Sequence, residues 1–257
     1  MGYRTFRPIP TPALPLKGRE RLLPHLPTSL VLLPGLLCDA ALWAPQVGAL
    51  SDIADPWIAD LTRHDSIAEM AAAVLREAPA ERLAVAGLSM GGYVAQEMVR
   101  QAPRRVERLA LLDTRARLDE PDETQRRHAL MELAQQEGGF APVTSRLLPL
   151  LVHPARVKDE PLVRTIREMA ERVGLAAYLR QQKAIIGRPD FRPHLASIRC
   201  PTLVLCGRQD ALTPLAYHEE IAATIPGARL EIIEDCGHLS TLERPAQVNA
   251  LLRAWLG

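Results

Sequence analysis

The chain of 257 residues lacks any long apolar run. A helix that crosses a bilayer needs about 20 predominantly apolar residues. The longest stretch here, Leu30 to Cys38, is short and broken by Pro34 and Gly35. No membrane span is therefore expected. The basic N-terminus also lacks the uninterrupted apolar segment of a secretory signal. An excess of one charge is missing too. Lysine plus arginine number 31 against 30 acidic residues, a net charge of +1, so no global field draws the chain to nucleic acid or an anionic membrane. Cysteine is scarce. Cys38, Cys200, Cys206 and Cys236 form no C-x-x-C and no zinc-like spacing, which removes the usual sequence case for a metal. Cys200, Cys206 and Cys236 sit in or beside apolar stretches and read as buried free thiols. A reducing, cytoplasmic setting is the expectation. No internal repeat is visible.

What is present has the balance of an ordinary globule, with 47% hydrophobic and 24% charged residues, in a chain long enough for one large domain or a core with an insertion. Residues 1–28 form a proline-rich N-terminal extension, with Pro8, Pro10, Pro12, Pro15, Pro24 and Pro27. Proline blocks both helix and central strand, so this segment reads as extended or partly disordered. From Ser29 short apolar strands alternate with helices. Ser29 to Leu33, Trp57 to Ala59, Leu83 to Ala86, Val106 to Leu112, Thr202 to Cys206 and Arg229 to Ile233 read as strands. Helices read over 40–50, 67–78, 92–101, 214–224 and 245–256. Ser66, with Glu69 three residues on, has the capping-box pattern before the second of these. Such alternation implies an α/β architecture with a mostly parallel sheet covered on both faces. Residues 114–195 interrupt it. They are helix-prone and arginine-rich, and they read as a helical cap inserted into a core made of 29–113 and 196–257.

Gly87-Leu88-Ser89-Met90-Gly91 matches G-x-S-x-G between a strand pattern and a helix pattern,. A serine on so tight a turn holds a strained backbone. The residues two before and two after it then pass too close for a Cβ, which calls for Gly87 and Gly91. The alternative is a glycine-rich turn that binds phosphate, but no lysine follows the serine and G-x-G-x-x-G is absent. A serine hydroxyl is a poor nucleophile until a histidine takes its proton and an acid orients that histidine. Of seven histidines, only His238 follows a late strand in a short loop, at the sheet edge that presents Ser89. His64, His128, His153 and His218 lie in charged or helical contexts and read as solvated or structural. For the acid, Asp210 follows the strand 202–206 at the same edge. Asp113, which ends the strand 106–112, competes with it, and Asp235 is a third candidate. Two backbone N–H groups should hold a developing oxyanion: that of Met90, after the serine, and that of Leu36, in the loop after the first strand. Gly35 is otherwise a plain strand terminator.

Val31-Leu-Leu-Pro-Gly-Leu36, Gly87-Leu-Ser-Met-Gly-Gly92, Cys200-Pro-Thr-Leu-Val-Leu-Cys-Gly207 with Asp210, and Asp235-Cys-Gly-His238 resemble signatures of the α/β-hydrolase superfamily. The resemblance runs from about residue 29 to the end. The tail from Cys200 to Pro245 is similar to carboxylesterases and to the 3-oxoadipate enol-lactonase group. Many relatives carry His-Gly where this chain has Pro34-Gly35, and the N-terminal strand hairpin usual in the family is not visible in residues 1–28. The resemblance implies an α/β-hydrolase fold with a helical cap after the sixth family strand, a Ser89-His238-Asp210 triad, and no metal or organic cofactor. It implies a carboxylesterase acting through an acyl-enzyme on a small-molecule ester. A lactonase or C–C bond hydrolase is the alternative, and a non-catalytic ligand-binding protein of the same fold is the rival from another class. In the cap, Leu147 to Val152 and Leu130, Met131 and Leu133 either shape an acyl pocket or pack the cap on the core. Arginines 115, 117, 126, 127, 146, 156, 164 and 167 have acidic neighbours and read as a solvated helix surface.

Overall fold

The computed structural model describes residues 1–2, 28–136 and 140–257. The proline-rich extension therefore lies outside the described residues apart from its two ends. Thr28, at its boundary, already belongs to β1 (Thr28–Leu33). A turn of 3₁₀-helix, Ala40–Trp43, runs into α1 (Ala44–Leu50). Then follow β2 (Ala54–Ile58), α2 (Ile67–Glu77), β3 (Leu83–Leu88), α3 (Met90–Gln101) and β4 (Val106–Leu112). Four helices come next: α4 (Pro121–Gln135), α5 (Phe140–Leu151), α6 (Glu160–Ile186) and α7 (Arg192–Leu195). The rhythm resumes with β5 (Thr202–Gly207), α8 (Leu215–Thr224), β6 (Arg229–Ile233), α9 (Ser240–Glu243) and α10 (Pro245–Leu256).

The six strands form one sheet in the order β2-β1-β3-β4-β5-β6, and every pairing is parallel. Strand side chains alternate between faces, so a continuously apolar strand serves two cores at once. In β1, Val31 and Leu33 join Leu109, Leu111 and Val204 on one face, under α2 and α3. Leu30 and Leu32 join Ala110, Leu112 and Leu205 on the other, under α1 and α10. The sheet's carboxyl edge thereby becomes a rigid row of strand ends. No helix among the described residues is long and apolar enough to cross a membrane.

Two local readings change. β2 begins at Ala54, before the expected Trp57, and includes Pro56. That proline is tolerable because β2 has one strand neighbour among the described residues,. At α2 only half of the capping box forms, with Ser66 Oγ accepting from the Glu69 amide at 3.3 Å. A box sits instead at the start of α4, where Glu123 Oε2 accepts from the Glu120 amide at 2.8 Å. α6 is not one straight helix: Gly174, at φ +73° and ψ 169°, divides it.

Candidate active site

Ser89 stands between β3 and α3 with φ 55° and ψ −116°, a conformation that a side chain with a Cβ disfavours,. The surrounding chain holds it there. Its amide donates to Leu112 O at 3.0 Å, and its carbonyl accepts from the Gly92 amide at 2.9 Å and from Thr114 Oγ1 at 2.8 Å. The glycines fit for steric reasons. A Cβ on Gly87 would lie 2.2 Å from Gly91 O, and one on Gly91 would lie 2.1 Å from Leu33 O. Both obstacles are backbone atoms that cannot swing away. Met90 opens α3, so its amide is one of the first-turn N–H groups that a helix leaves unpaired,.

Asp210 and His238 come from the loops after β5 and β6. Asp210 Oδ2 lies 2.8 Å from His238 Nδ1. It also accepts from Thr213 Oγ1 at 2.6 Å, while Oδ1 accepts from the amides of Leu212 and Thr213 at 2.8 and 2.9 Å. Both side chains are buried. Burial drives the His238 imidazole toward its neutral form, but the Asp210 charge and hydrogen bond outweigh this and raise its pKa. Burial opposes ionisation of Asp210 as well, and His238 with the Thr213 donors overcomes it, so that carboxyl is held low. With Nδ1 committed to Asp210, Nε2 is the nitrogen left for a serine.

The competing acids have other partners. Asp113 is buried, accepting from the Gly207 amide at 2.9 Å and from Ser240 Oγ, and burial together with the nearby Asp210 charge pushes it up to about 8. Asp235 is exposed, and the hydrogen bonds formed there run from Arg244 to its backbone carbonyl. His218 is fully buried; its Nε2 accepts from the Thr114 amide at 2.9 Å, and burial lowers its pKa to about 4. Cys206, Asp210 and His218 cluster closely enough to be considered as metal donors. Asp210 is already held by His238 and Thr213, however, and the His218 nitrogen with a free lone pair is the one bonded to Thr114.

The loop after β1 completes the site. Leu37 has φ +59°. Its amide donates to Gln181 Oε1 at 3.1 Å, and the Cys38 amide to Gly35 O at 3.2 Å. Leu36 lies between these anchors and lines the same cavity as Ser89 and His238. That cavity measures about 420 Å³. Leu130, Leu147, Leu148 and Leu151 help to wall it, whereas Val152 is buried in the core and Met131 and Leu133 pack beside α5 and α6. Besides Thr213, two residues that hold the loops of the site gave no signal in the sequence. Gln181 ties α6 to the Leu37 loop and to Leu61 O. Glu243, buried, accepts from the Gly237 amide and from the His153 amide, both at 2.8 Å, and so joins the His238 loop to the segment after α5. A glutamine inside a long helix gives no signal of such a role. Glu243 lies in the family-like tail from Cys200 to Pro245, where nothing in the sequence marks it out.

Of the arginines expected on a solvated helix surface, Arg126, Arg146, Arg164 and Arg167 are exposed, but Arg115 and Arg127 are not. Arg115 is buried, bonded to Glu123 through Nη1 and to Asp119 through Nη2. Arg127 and Arg188 also reach Asp119, at 2.6 and 2.9 Å. These groups form an internal ion network, because the chain folds α4 back over the segment that follows β4.

A model of the alpha/beta hydrolase family matches residues 30–251. The chain belongs to that family. Among curated relatives of this α/β-hydrolase, RutD of Serratia proteamaculans, a proposed carbamate hydrolase, is 30% identical over 254 residues, covering 91% of this chain and 92% of its own. A thermophilic esterase from Thermogutta terrifontis has a similar structure, with a TM-score of 0.80 at 28% identity over 89% of both chains. The enol-lactonase from Burkholderia xenovorans has a TM-score of 0.81 at 26% identity, over 91% of this chain and 93% of that one. The expected likeness to esterases and enol-lactonases is thus found in the fold as a whole.

Proposed function

We propose that this α/β-hydrolase cleaves carboxylic esters by acyl transfer, with Ser89 as nucleophile, His238 as base and Asp210 as the acid that orients it. One observation carries the reading. A strained serine at a strand-helix elbow and a histidine whose Nδ1 meets a buried carboxylate at 2.8 Å open on a single, largely apolar cavity. Ser89 Oγ attacks the acyl carbonyl as His238 Nε2 accepts its proton. The amides of Leu36 and Met90 receive the oxyanion. His238 then protonates the leaving alkoxide, and water repeats the cycle on the acyl-enzyme. Asp210 keeps the imidazole in the working tautomer and stabilises its charged form. In this reading residues 114–195 act as a cap, in which α5 and α6, with Leu130 of α4, supply hydrocarbon wall. The four free cysteines support a cytoplasmic setting,.

Hydrolysis of a p-nitrophenyl ester series, from acetate to long acyl chains, tests this with Ser89→Ala alongside. The intact protein should turn over and the variant should fall by at least about 10³-fold. Equal rates from both would remove Ser89 from the mechanism. The likeness to an enol-lactonase and to RutD favours a second reading, in which the same attack opens a lactone or a carbamate. Ser89-dependent turnover of those substrates alone would select it. Inactivity on every class would leave the ligand-binding reading.

A further inference from the structure

The wall that α4 gives to the cavity is charged. Glu123, Arg126, Arg127 and Leu130 all line it, and their spacing of i, i+3, i+4 and i+7 puts them on one helix face. A helix that covers an apolar space ordinarily turns such a face outward. Arg115, after β4, and Arg167, on α6, line the same space. Among the lining residues, Arg115, Arg126, Arg127 and Arg167 thus face one carboxylate, Glu123. The carboxylates behind them do not cancel the charge. Asp119 is shared by Arg115, Arg127 and Arg188, Glu123 is held by Arg115, and Asp122 by Arg126. Arg167 makes no ion pair among the described residues, so positive charge remains in excess.

Donors are also left over. Arg115 Nε is buried with no acceptor, so the protein groups around Arg115 leave part of its guanidinium unsatisfied. Arg127 directs Nε to Asp119 and Nη1 to Gln182 Oε1 at 3.0 Å, which leaves Nη2. Guanidinium forks match carboxylate geometry, and their attraction strengthens where water is excluded.

Resting on the hydrolase reading above, we infer that the substrate is anionic: an ester or lactone that carries a free carboxylate. The carboxylate meets Arg127, with Arg115 behind it and Arg167 at the mouth, while Leu130, Leu147 and Leu151 enclose the hydrocarbon part.

The test compares p-nitrophenyl monoesters of glutarate and adipate with the uncharged pentanoate and hexanoate esters, read as the ratio of kcat/KM within each pair. The ratio should exceed tenfold in the intact protein and shrink with added salt. Arg127→Gln and Arg167→Gln should each cut it by about tenfold. Arg167 makes no internal ion pair, so its variant keeps the test free of folding effects. Arg164→Gln, which removes an exposed charge of α6 outside the cavity, should leave the ratio unchanged. A ratio near one, or one that neither cavity variant moves, overturns the inference, while Ser89-dependent turnover of the neutral esters would keep the hydrolase reading. If no ester is cleaved, the ester reading alone has failed, and calorimetry with adipate against adipamide decides. Binding of adipate alone, weakened in Arg167→Gln, supports the anion site. Equal binding of the two, or none, overturns it.

Discussion

At His238 two opposed effects meet on one imidazole. Burial favours the neutral ring, and the Asp210 carboxylate at 2.8 Å favours the protonated one and prevails. In its proposed role as general base, His238 works in its neutral form. Activity should therefore be present above the His238 pKa and lost as pH falls through it, with the midpoint above the ordinary histidine value of about 6.5. Asp210→Asn removes the charge that raises this pKa. The rising limb of kcat/KM should then move to lower pH, and kcat at neutral pH should fall by roughly 10⁴-fold. A pH-rate profile of both proteins checks this, and a limb that stays in place would assign the titration to another group. The places of these residues at one sheet edge could be read from the sequence because each one follows a strand: Ser89 after β3, Asp210 after β5, His238 after β6. Those of Thr213, Gln181 and Glu243 could not. Their hydrogen bonds run to partners that the fold, and not the spacing, brings near.

At the scale of elements, legibility follows how a segment earns its stability. β4, β6 and α10 have the bounds that their apolar patterns suggest, since apolar side chains of each join the cores on the two faces of the sheet. α4 turns a charged face to a cavity, so apolar periodicity could not reveal its orientation,. The break in α6 is likewise invisible in hydrophobic pattern and rests on one glycine. At Gly174, φ +73° with ψ 169° belongs to a region essentially reserved for glycine,. A Cβ there would meet no atom within 4 Å, so a substitution meets backbone strain and no clash. Gly174→Ala should cost about 1–3 kcal/mol by chemical denaturation. If the variant proves as stable as the parent, the two halves of α6 can join without penalty, and the break has no structural weight.

For the whole molecule, the question is what fixes the helices between β4 and β5 to the sheet. The sequence showed where the alternation stops and resumes. It could not show that the two crossing points meet. Arg115 and Asp119 lie where the chain leaves the core, Arg188 where it comes back, and Arg127 on α4. Asp119 accepts from all three arginines and is nearly inaccessible to water. Burial opposes its ionisation, but Arg127 and Arg188 more than offset this and hold the carboxyl at about 2. A carboxyl depressed on folding adds stability that is present above its unfolded pKa, near 3.9, and is lost as pH falls toward the folded value. Asp119→Asn leaves three arginines facing a neutral amide. It should cost about 3–5 kcal/mol at neutral pH, the usual penalty for stripping one partner from a buried ion network. The difference from the parent should narrow between pH 4 and 2, where the parent's own carboxyl takes up its proton. Denaturation curves across that range separate this from a packing defect, which would persist at every pH. A loss confined to neutral pH would mean that charge, more than apolar contact, locks together the two ends of the helical segment between β4 and β5.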